Sequence, residues 1–356
     1  MSKIKQDTAK ITKIAWALMT ATVKNKLDVP GEYIWNIPTN NEFHEIRSKT
    51  YSVFSSGNCI KDSEAIKTIE SVNPSKYLRD PWITKTFEEY FPVWLRGCSR
   101  FKFQGLDDFK HGCFAQGSQE YFLNYYIMNR HKRFRVFKGE YWWHMEVWKK
   151  LGLNWAYIED GDLNSNDVVI LSFPFARLGD KHPEQENLLD ICDKIGVPVM
   201  LDFIYLPNST YDSIDIDLRR SCINSLSFSL SKAFPIATAR VAIRFTREKV
   251  NDPMQISNDE NVSNRVASGY GYEMMKKLPV DFMVRKYKKE QEHWCHTLGL
   301  TPTKVVHFAL GEPYTDIGRM NQKRFFSEFN DQENRYNLGP LFANKNLLTN
   351  LGYYEI

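Results

Sequence analysis

An α/β fold on a mainly parallel sheet is the architecture this chain predicts, and three observations carry it. The run Val168-Val-Ile-Leu-Ser172 is apolar at strand length. A helical period follows from Glu184 to Ile195, with Leu188, Leu189, Ile191 and Ile195 on one face and Gly196 as its stop. A second apolar run then ends at Asp202. Strand, helix and strand at this spacing form a βαβ unit, and such apolar strands need both faces covered. A third alternating apolar run delivers Ser229 and Lys232 to another strand end. Ligands of open α/β sheets bind beyond the carboxyl ends of the strands, where Asp202, Tyr205 and Lys232 fall.

With 356 residues the chain can form one large domain and a smaller one. Its net charge of +4 is small for that length and argues against a general nucleic-acid binder. No stretch has the uninterrupted apolar length that spans a bilayer. The six cysteines are widely spaced with no Cys-x-x-Cys, which reads as reduced thiols in a cytoplasmic protein.

Residues 1–100 show mixed periodicity broken by Pro30, Pro38, Pro74, Pro81 and Pro92. They read as an arm, a helix or two and part of a small domain. The apolar run Ile14–Met19 fits a short amphipathic helix better than a targeting sequence. His44 and the Ser55-Ser-Gly-Asn58 turn read as structural.

A helix is expected from Glu120 to Arg130, with Tyr121, Phe122, Tyr125, Tyr126 and Met128 apolar. Its start would present the free amides of Gly117 and Ser118 together with the positive end of the helix dipole, a seat for phosphate. Ser118 equally fits an ordinary cap. The basic run Asn129-Arg-His-Lys-Arg-Phe-Arg135 reads as a solvated helix end. The aromatics from Tyr141 to Trp148 suit a helix–sheet interface. Beyond Phe245 a polar stretch leads to a lysine-rich helix, Val284 to Leu298, and a strand near Val305–Ala309. His293 and His296 lack a third metal ligand in the sequence.

The chemistry centres on Ser225-Leu-Ser-Phe-Ser-Leu-Ser-Lys-Ala-Phe-Pro-Ile-Ala-Thr-Ala-Arg240. A lysine at a strand end beside a second cation has a lowered pKa and a nucleophilic amine. Ser-x-x-Lys also occurs in serine acyl-enzymes of the penicillin-binding type, which need Ser-Asp-Asn and Lys-Thr-Gly as well. Here Ser257-Asn258-Asp259 is in the wrong order and Lys-Thr-Gly is absent.

Gly117-Ser118, Tyr141-Trp142, Asp202, Tyr205, Ser229, Lys232 and Arg240 match, in order and at closely similar separations, a pattern of the fold-type I pyridoxal-phosphate enzymes. Over residues 100–250 the chain resembles the class I/II aminotransferase family. The resemblance implies a three-layer αβα large domain at 101–250, with a smaller α+β domain formed by 251–356 and part of 1–100. It implies pyridoxal 5'-phosphate as cofactor, bound through Lys232 as a Schiff base. Gly117, Ser118, Ser229 and Arg240 would hold the phosphate, and Asp202 the ring nitrogen. Tyr205 would bond the phenolic oxygen, and Trp142, or else Tyr141, would stack on the ring. Arg335, in Asn334-Arg-Tyr-Asn-Leu-Gly339, would grip the substrate carboxylate. Arg265 falls near a position where some members carry a partner-subunit arginine. A homodimer acting on a small amino acid or keto acid is expected, with neither nucleic acid, membrane nor metal.

One departure matters. Where the family carries Asn-Pro-x-x-Gly, this chain has Ser172-Phe-Pro-Phe-Ala-Arg-Leu-Gly179, with Phe173 at the asparagine position. An aminotransferase stays the first reading, but loss of that donor casts doubt on routine transamination and adds weight to the alternatives on the same cofactor: decarboxylase, racemase, lyase or Cα-condensing enzyme. A non-catalytic binding module is the remaining alternative, and the presence of both Asp202 and Lys232 argues against it.

Overall fold

The computed structural model describes residues 57–311 and 334–346. The expected Ile14–Met19 helix, His44, Ser55 and Ser56 lie outside the described residues. Helices α1 (Ser63–Glu70), α2 (Pro74–Leu78) and α3 (Ile83–Arg96) come first. Strands β1 (Phe101–Gln104) and β2 (His111–Ala115), helix α4 (Ser118–Met128), β3 (Arg133–Val136), α5 (Trp143–Leu151) and β4 (Trp155–Tyr157) follow. The βαβ unit is β5 (Asp167–Ser172), α6 (Gln185–Ile195) and β6 (Val199–Asp202). Then come β7 (Ile214–Asp217), β8 (Ile223–Ser229), the single turn α7 (Leu230–Ala233) and β9 (Ala242–Thr246). Helices α8 (Pro253–Asp259), α9 (Arg265–Lys277) and α10 (Phe282–Leu298) lead to β10 (Thr301–Pro302) and β11 (Phe308–Gly311). β12 (Asn334–Asn337) and α11 (Gly339–Ala343) end the described chain.

Seven strands form the central sheet in the order β2-β9-β8-β6-β5-β3-β4. Only β9 runs against its neighbours, so the sheet is mainly parallel. Every residue of β5 and β6 is buried, as their unbroken apolar runs require. Alternation splits them between two cores. Val169, Leu171, Val199 and Leu201 join Phe91, Leu188 and Phe228 on one face, while Val168, Ile170 and Met200 join Tyr121, Tyr126 and Trp148 on the other. This is the expected three-layer α/β arrangement. Phe91 of α3 packs 5.3 Å from Phe228 and 5.9 Å from Phe245, ring to ring. Helix α6 ends at Gly196 in the left-handed conformation (φ 71°), as its sequence predicts.

β10, β11 and β12 form a separate antiparallel sheet against α10. The strand expected from Val305 begins instead at Phe308. Gln291 of α10 explains the difference: its Nε2 donates to the carbonyls of Thr303, Val305 and Phe308, holding a turn where a ladder would need those groups.

The basic run is also corrected. Arg133 and Arg135 lie on β3, not on a solvated helix end, and Arg135 is fully buried. Asp162 and Asp167 bind both guanidinium groups at 2.7–3.1 Å.

Cys98, Cys113, Cys192, Cys222 and Cys295 are buried free thiols. Among the described residues no helix is long and apolar enough to cross a membrane, and no three His, Cys, Asp or Glu side chains converge as metal ligands.

Candidate active site

β6 and β8 end side by side, with Asp202 in register with Ser227 on one flank and with Ser172 on the other. Asp202 is buried, and its carboxyl faces α4. Tyr121 Oη donates to Asp202 Oδ1 at 2.8 Å, and Ser227 Oγ donates to the same oxygen at 3.0 Å. Burial pushes the carboxyl up to about 7; the two hydroxyl donors oppose the shift and the nearby Glu140 charge adds to it. Glu140 is itself buried, accepting from Ser172 N at 3.0 Å, Ser172 Oγ at 2.7 Å and Tyr141 N at 2.9 Å.

Helix α4 opens on Gly117, whose φ of +86° suits glycine, and no side chain caps its first amides. A Cβ on Gly117 would collide with the Arg240 guanidinium, which lies over this helix end. Arg240 itself holds a left-handed backbone (φ 57°) and donates to Gln119 Oε1 at 3.4 Å. Arginine, helix N-terminus and a glycine that permits close approach make a seat for an anion. Ser118 is buried in the first turn.

Ser229 caps α7, its Oγ accepting from Ser231 N at 3.3 Å and lying 2.7 Å from Ser231 Oγ. That turn carries Lys232, whose backbone carbonyl accepts from Asn208 Nδ2 at 2.5 Å. Burial lowers the Lys232 ammonium to about 8; Cys59 opposes the shift, and Arg335 and Arg240 add to it. A single point locates the convergence: a Cβ on Gly57 would stand 2.9 Å from Tyr205 Oη, 3.6 Å from Lys232 Nζ and 3.9 Å from Arg335 Nη2. Arg335 reaches this point from β12. Its guanidinium lies 4.2 Å from the centre of the Phe308 ring and donates to the Ala176 carbonyl. Tyr205 packs edge-on against the same phenylalanine, 5.1 Å away. Among the described residues, Lys232, Arg240 and Arg335 form no ion pair with a carboxylate.

Two tyrosines join the anionic wall to the cationic corner. Burial pushes the Tyr141 phenol up to about 12; it bonds Gln119 and feels the charges of both Arg240 and Asp202. Burial also raises the Tyr205 phenol, which lies between Arg335 and Asp202. Of the two expected stacking aromatics, Tyr141 faces the site. Trp142, the first choice from sequence, is 45% exposed, because it stands at the N-cap of α5 with its ring turned outward from the core. Gly117, Tyr141, Asp202, Tyr205, Lys232, Arg240 and Arg335 thus gather around one basin, with Ser118 and Ser229 on the turns of chain beside Gly117 and Lys232. Phe173 does not join them: its ring stacks on Tyr211 at 5.9 Å in the core on the other side of the sheet.

No family model matches this chain, and no curated protein does. Solved structures do. A pyridoxal-phosphate-bound C-S lyase from Staphylococcus hominis aligns over 92% of this chain and 94% of its own, at 13% identity and a TM-score of 0.58. The histidinol-phosphate aminotransferase of Clostridium acetobutylicum aligns over 84% and 98% (13%, 0.57). The L-threonine-O-3-phosphate decarboxylase of Porphyromonas gingivalis aligns over 84% and 99% (15%, 0.56). The chain has the aminotransferase fold.

Within that fold, several groups at the basin were missed from sequence. Tyr121 reads there as one more core aromatic of α4. Glu140 and His307 give no local signal, although both are buried beside site residues. Ser227 did carry a signal: Ser225, Ser227 and Ser229 alternate along a buried strand, a row of hydroxyls that must find partners.

Proposed function

We propose that this chain is a pyridoxal-phosphate-dependent aminotransferase, moving an amino group between an amino acid and a keto acid through Lys232. One observation carries the reading: Lys232, Tyr205 and Arg335 converge over Gly57, the cations there lack carboxylate partners among the described residues, and Tyr205 also feels the Asp202 charge. The Gly117 cradle under Arg240 fits a phosphate, because no side chain caps the first amides of α4 and Arg240 forms no ion pair among the described residues, the Glu120 carboxylate being engaged by the Gln116 amide.

When bound, the cofactor supplies an aldehyde for the lysine and a ring that accepts electron density from the substrate's Cα. The protein does the rest. Arg240 and the amides of Gly117 and Ser118 hold the phosphate, with Ser229 shaping the turn beside it. Tyr141 would lie against the ring and help to keep water from it. Asp202 holds the proton on the ring nitrogen. Tyr205 donates to the phenolic oxygen, and Arg335 aligns the substrate carboxylate. Lys232, neutral over part of its population near pH 8, would take the proton from Cα of the amino donor and, in the second half-reaction, supply one to Cα of the amino acid formed from the keto acid.

A second reading keeps the cofactor and changes the bond broken. Phe173 offers no donor to the phenolic oxygen and leaves that task to Tyr205 alone, which favours decarboxylation, C–S cleavage or Cα condensation. Supplying amino donors and then keto acids, and following each half-reaction by absorbance and product analysis, separates the two. Amino transfer to the keto acid supports the first reading; release of carbon dioxide or a thiol, without transfer, supports the second.

A two-fold homodimer belongs to the proposal, with exposed Leu78, Trp82 and Val262 as apolar surface to cover. Sedimentation of Trp82→Glu against the parent chain tests it. The free thiols of Cys98, Cys113, Cys192, Cys222 and Cys295 suit a reducing compartment, so we assign the chain to the cytoplasm.

A further inference from the structure

The Asp202 carboxyl poses a problem that the assignment of site residues does not solve. A carboxyl group this deeply buried resists ionisation. Groups on every element around it bear on its charge. Tyr121 and Tyr126 face it from α4, Glu140 and Tyr141 from the segment before α5, Tyr205 and the Ile204 amide from the segment after β6, and Ser227 from β8. Glu140 opposes ionisation. Two side-chain hydroxyls favour it, and both reach the same oxygen, Oδ1. No side chain among the described residues donates to Oδ2.

We infer that Tyr121 and Ser227 are positioning residues: by donating together to Asp202 Oδ1, they keep the side chain a carboxylate and reserve Oδ2 for the cofactor's ring nitrogen. The inference rests on the cofactor reading above and adds to it the device by which this chain holds Asp202 ready. The geometry suits the task. Tyr121 is fully buried, its ring packed edge-on against Phe122 at 4.6 Å, so the phenol has little freedom to leave the carboxyl. Its own proton is firmly held, since burial first and the Asp202 charge next raise the phenol well above its usual range. Ser227 is fully buried on the neighbouring strand, in register with Asp202. Helix and strand therefore fix the oxygen from two directions. Without them Asp202 would be the stronger base and would keep the proton that the ring nitrogen needs.

Two variants remove only oxygen atoms, Tyr121→Phe and Ser227→Ala. Ser225→Ala is the control, because Ser225 lies on the same strand and its hydroxyl has no partner among the described residues. The first measurement is the Asp202 carboxyl titration in the cofactor-free chain, by carbon NMR of labelled aspartate assigned with Asp202→Asn. We expect a midpoint near 7 in the parent chain, an upward shift of about one unit in each variant, a larger one in the double variant, and none in the control. The second measurement is the nitrogen NMR shift of labelled pyridoxal phosphate bound to each chain. The ring nitrogen should be protonated in the parent and move toward neutral pyridine in both variants. A carboxyl midpoint unmoved in Tyr121→Phe and Ser227→Ala overturns the inference. So does a ring nitrogen that stays equally protonated while the carboxyl moves. If the parent chain takes up no cofactor yet the carboxyl shifts as expected, the cofactor reading has failed and the role of Oδ2 falls with it; uptake without a carboxyl shift condemns the positioning role alone.

Discussion

Two clusters of basic side chains in this molecule differ in one respect. On β3, Arg133 and Arg135 are met by Asp162 and Asp167, with Arg135 and Asp167 fully buried and 3.1 Å apart. At the ends of β8, β9 and β12, Lys232, Arg240 and Arg335 crowd one basin with no carboxylate partner among the described residues. The first cluster is neutral as built and belongs to the fold. The second is left with positive charge that a phosphate and a substrate carboxylate would balance. In the sequence Arg133 and Arg135 sit in the densest basic run and read as a solvated helix end, whereas folding buries and pairs them. Whether a charge has a partner in three dimensions separates scaffold from site better than charge density along the chain.

Breaking the paired cluster should show up as lost stability. Asp167→Ala leaves the buried Arg135 with the exposed Asp162 as its one carboxylate among the described residues and should cost about 3–5 kcal/mol in urea unfolding, with cofactor affinity unchanged in whatever chain remains folded. A loss under about 1 kcal/mol would mean that β3 does not depend on the pair.

Asp202 sharpens the comparison through pH. Its folded pKa of about 7 lies above the ordinary aspartate value of 3.8, so the folded state holds a proton more tightly than the unfolded one between those limits. Its contribution is therefore fully present below about pH 4 and is lost as pH rises through about 7. Relative to Asp202→Asn, the cofactor-free chain should lose stability on the order of 2–4 kcal/mol across that window. A parallel pH dependence in the two chains would contradict the burial argument.

Arg240→Gln should behave in the opposite way to Asp167→Ala. It removes one of three mutually repelling cations, so the thermal midpoint of the cofactor-free chain should hold or rise. Affinity for pyridoxal phosphate should fall about 10- to 100-fold, the worth of one charge-assisted contact of about 1.5–3 kcal/mol. Equilibrium titration by absorbance checks the second effect and a melting curve the first.

Much of the fold was legible because its central strands are buried on both faces and therefore read as unbroken apolar runs. β5, α6 and β6 fall within a residue or two of their expected places. Lys232, Asp202 and Arg240 were legible because they sit at strand and loop ends at fixed separations. Tyr121, Glu140 and His307 were not. Each lies far along the chain from the group it serves, and only folding brings them together. Trp142 was preferred over Tyr141 because adjacent aromatics are indistinguishable until the turn into α5 sends one inward and the other out. The start of β11 was misjudged because Gln291 claims three carbonyls that an isolated strand would have kept.

The central claim is that the Lys232 amine, held part-neutral in the unpaired cluster, takes up an aldehyde cofactor seated on Arg240 and the α4 N-terminus. The direct measurement is to incubate the chain with pyridoxal phosphate, reduce with borohydride, digest and sequence the modified peptide by mass spectrometry. The account predicts a single pyridoxyl group on Lys232, none in Lys232→Ala, and much less when inorganic phosphate competes. A label spread over surface lysines, or one at equal yield in Lys232→Ala, would contradict it.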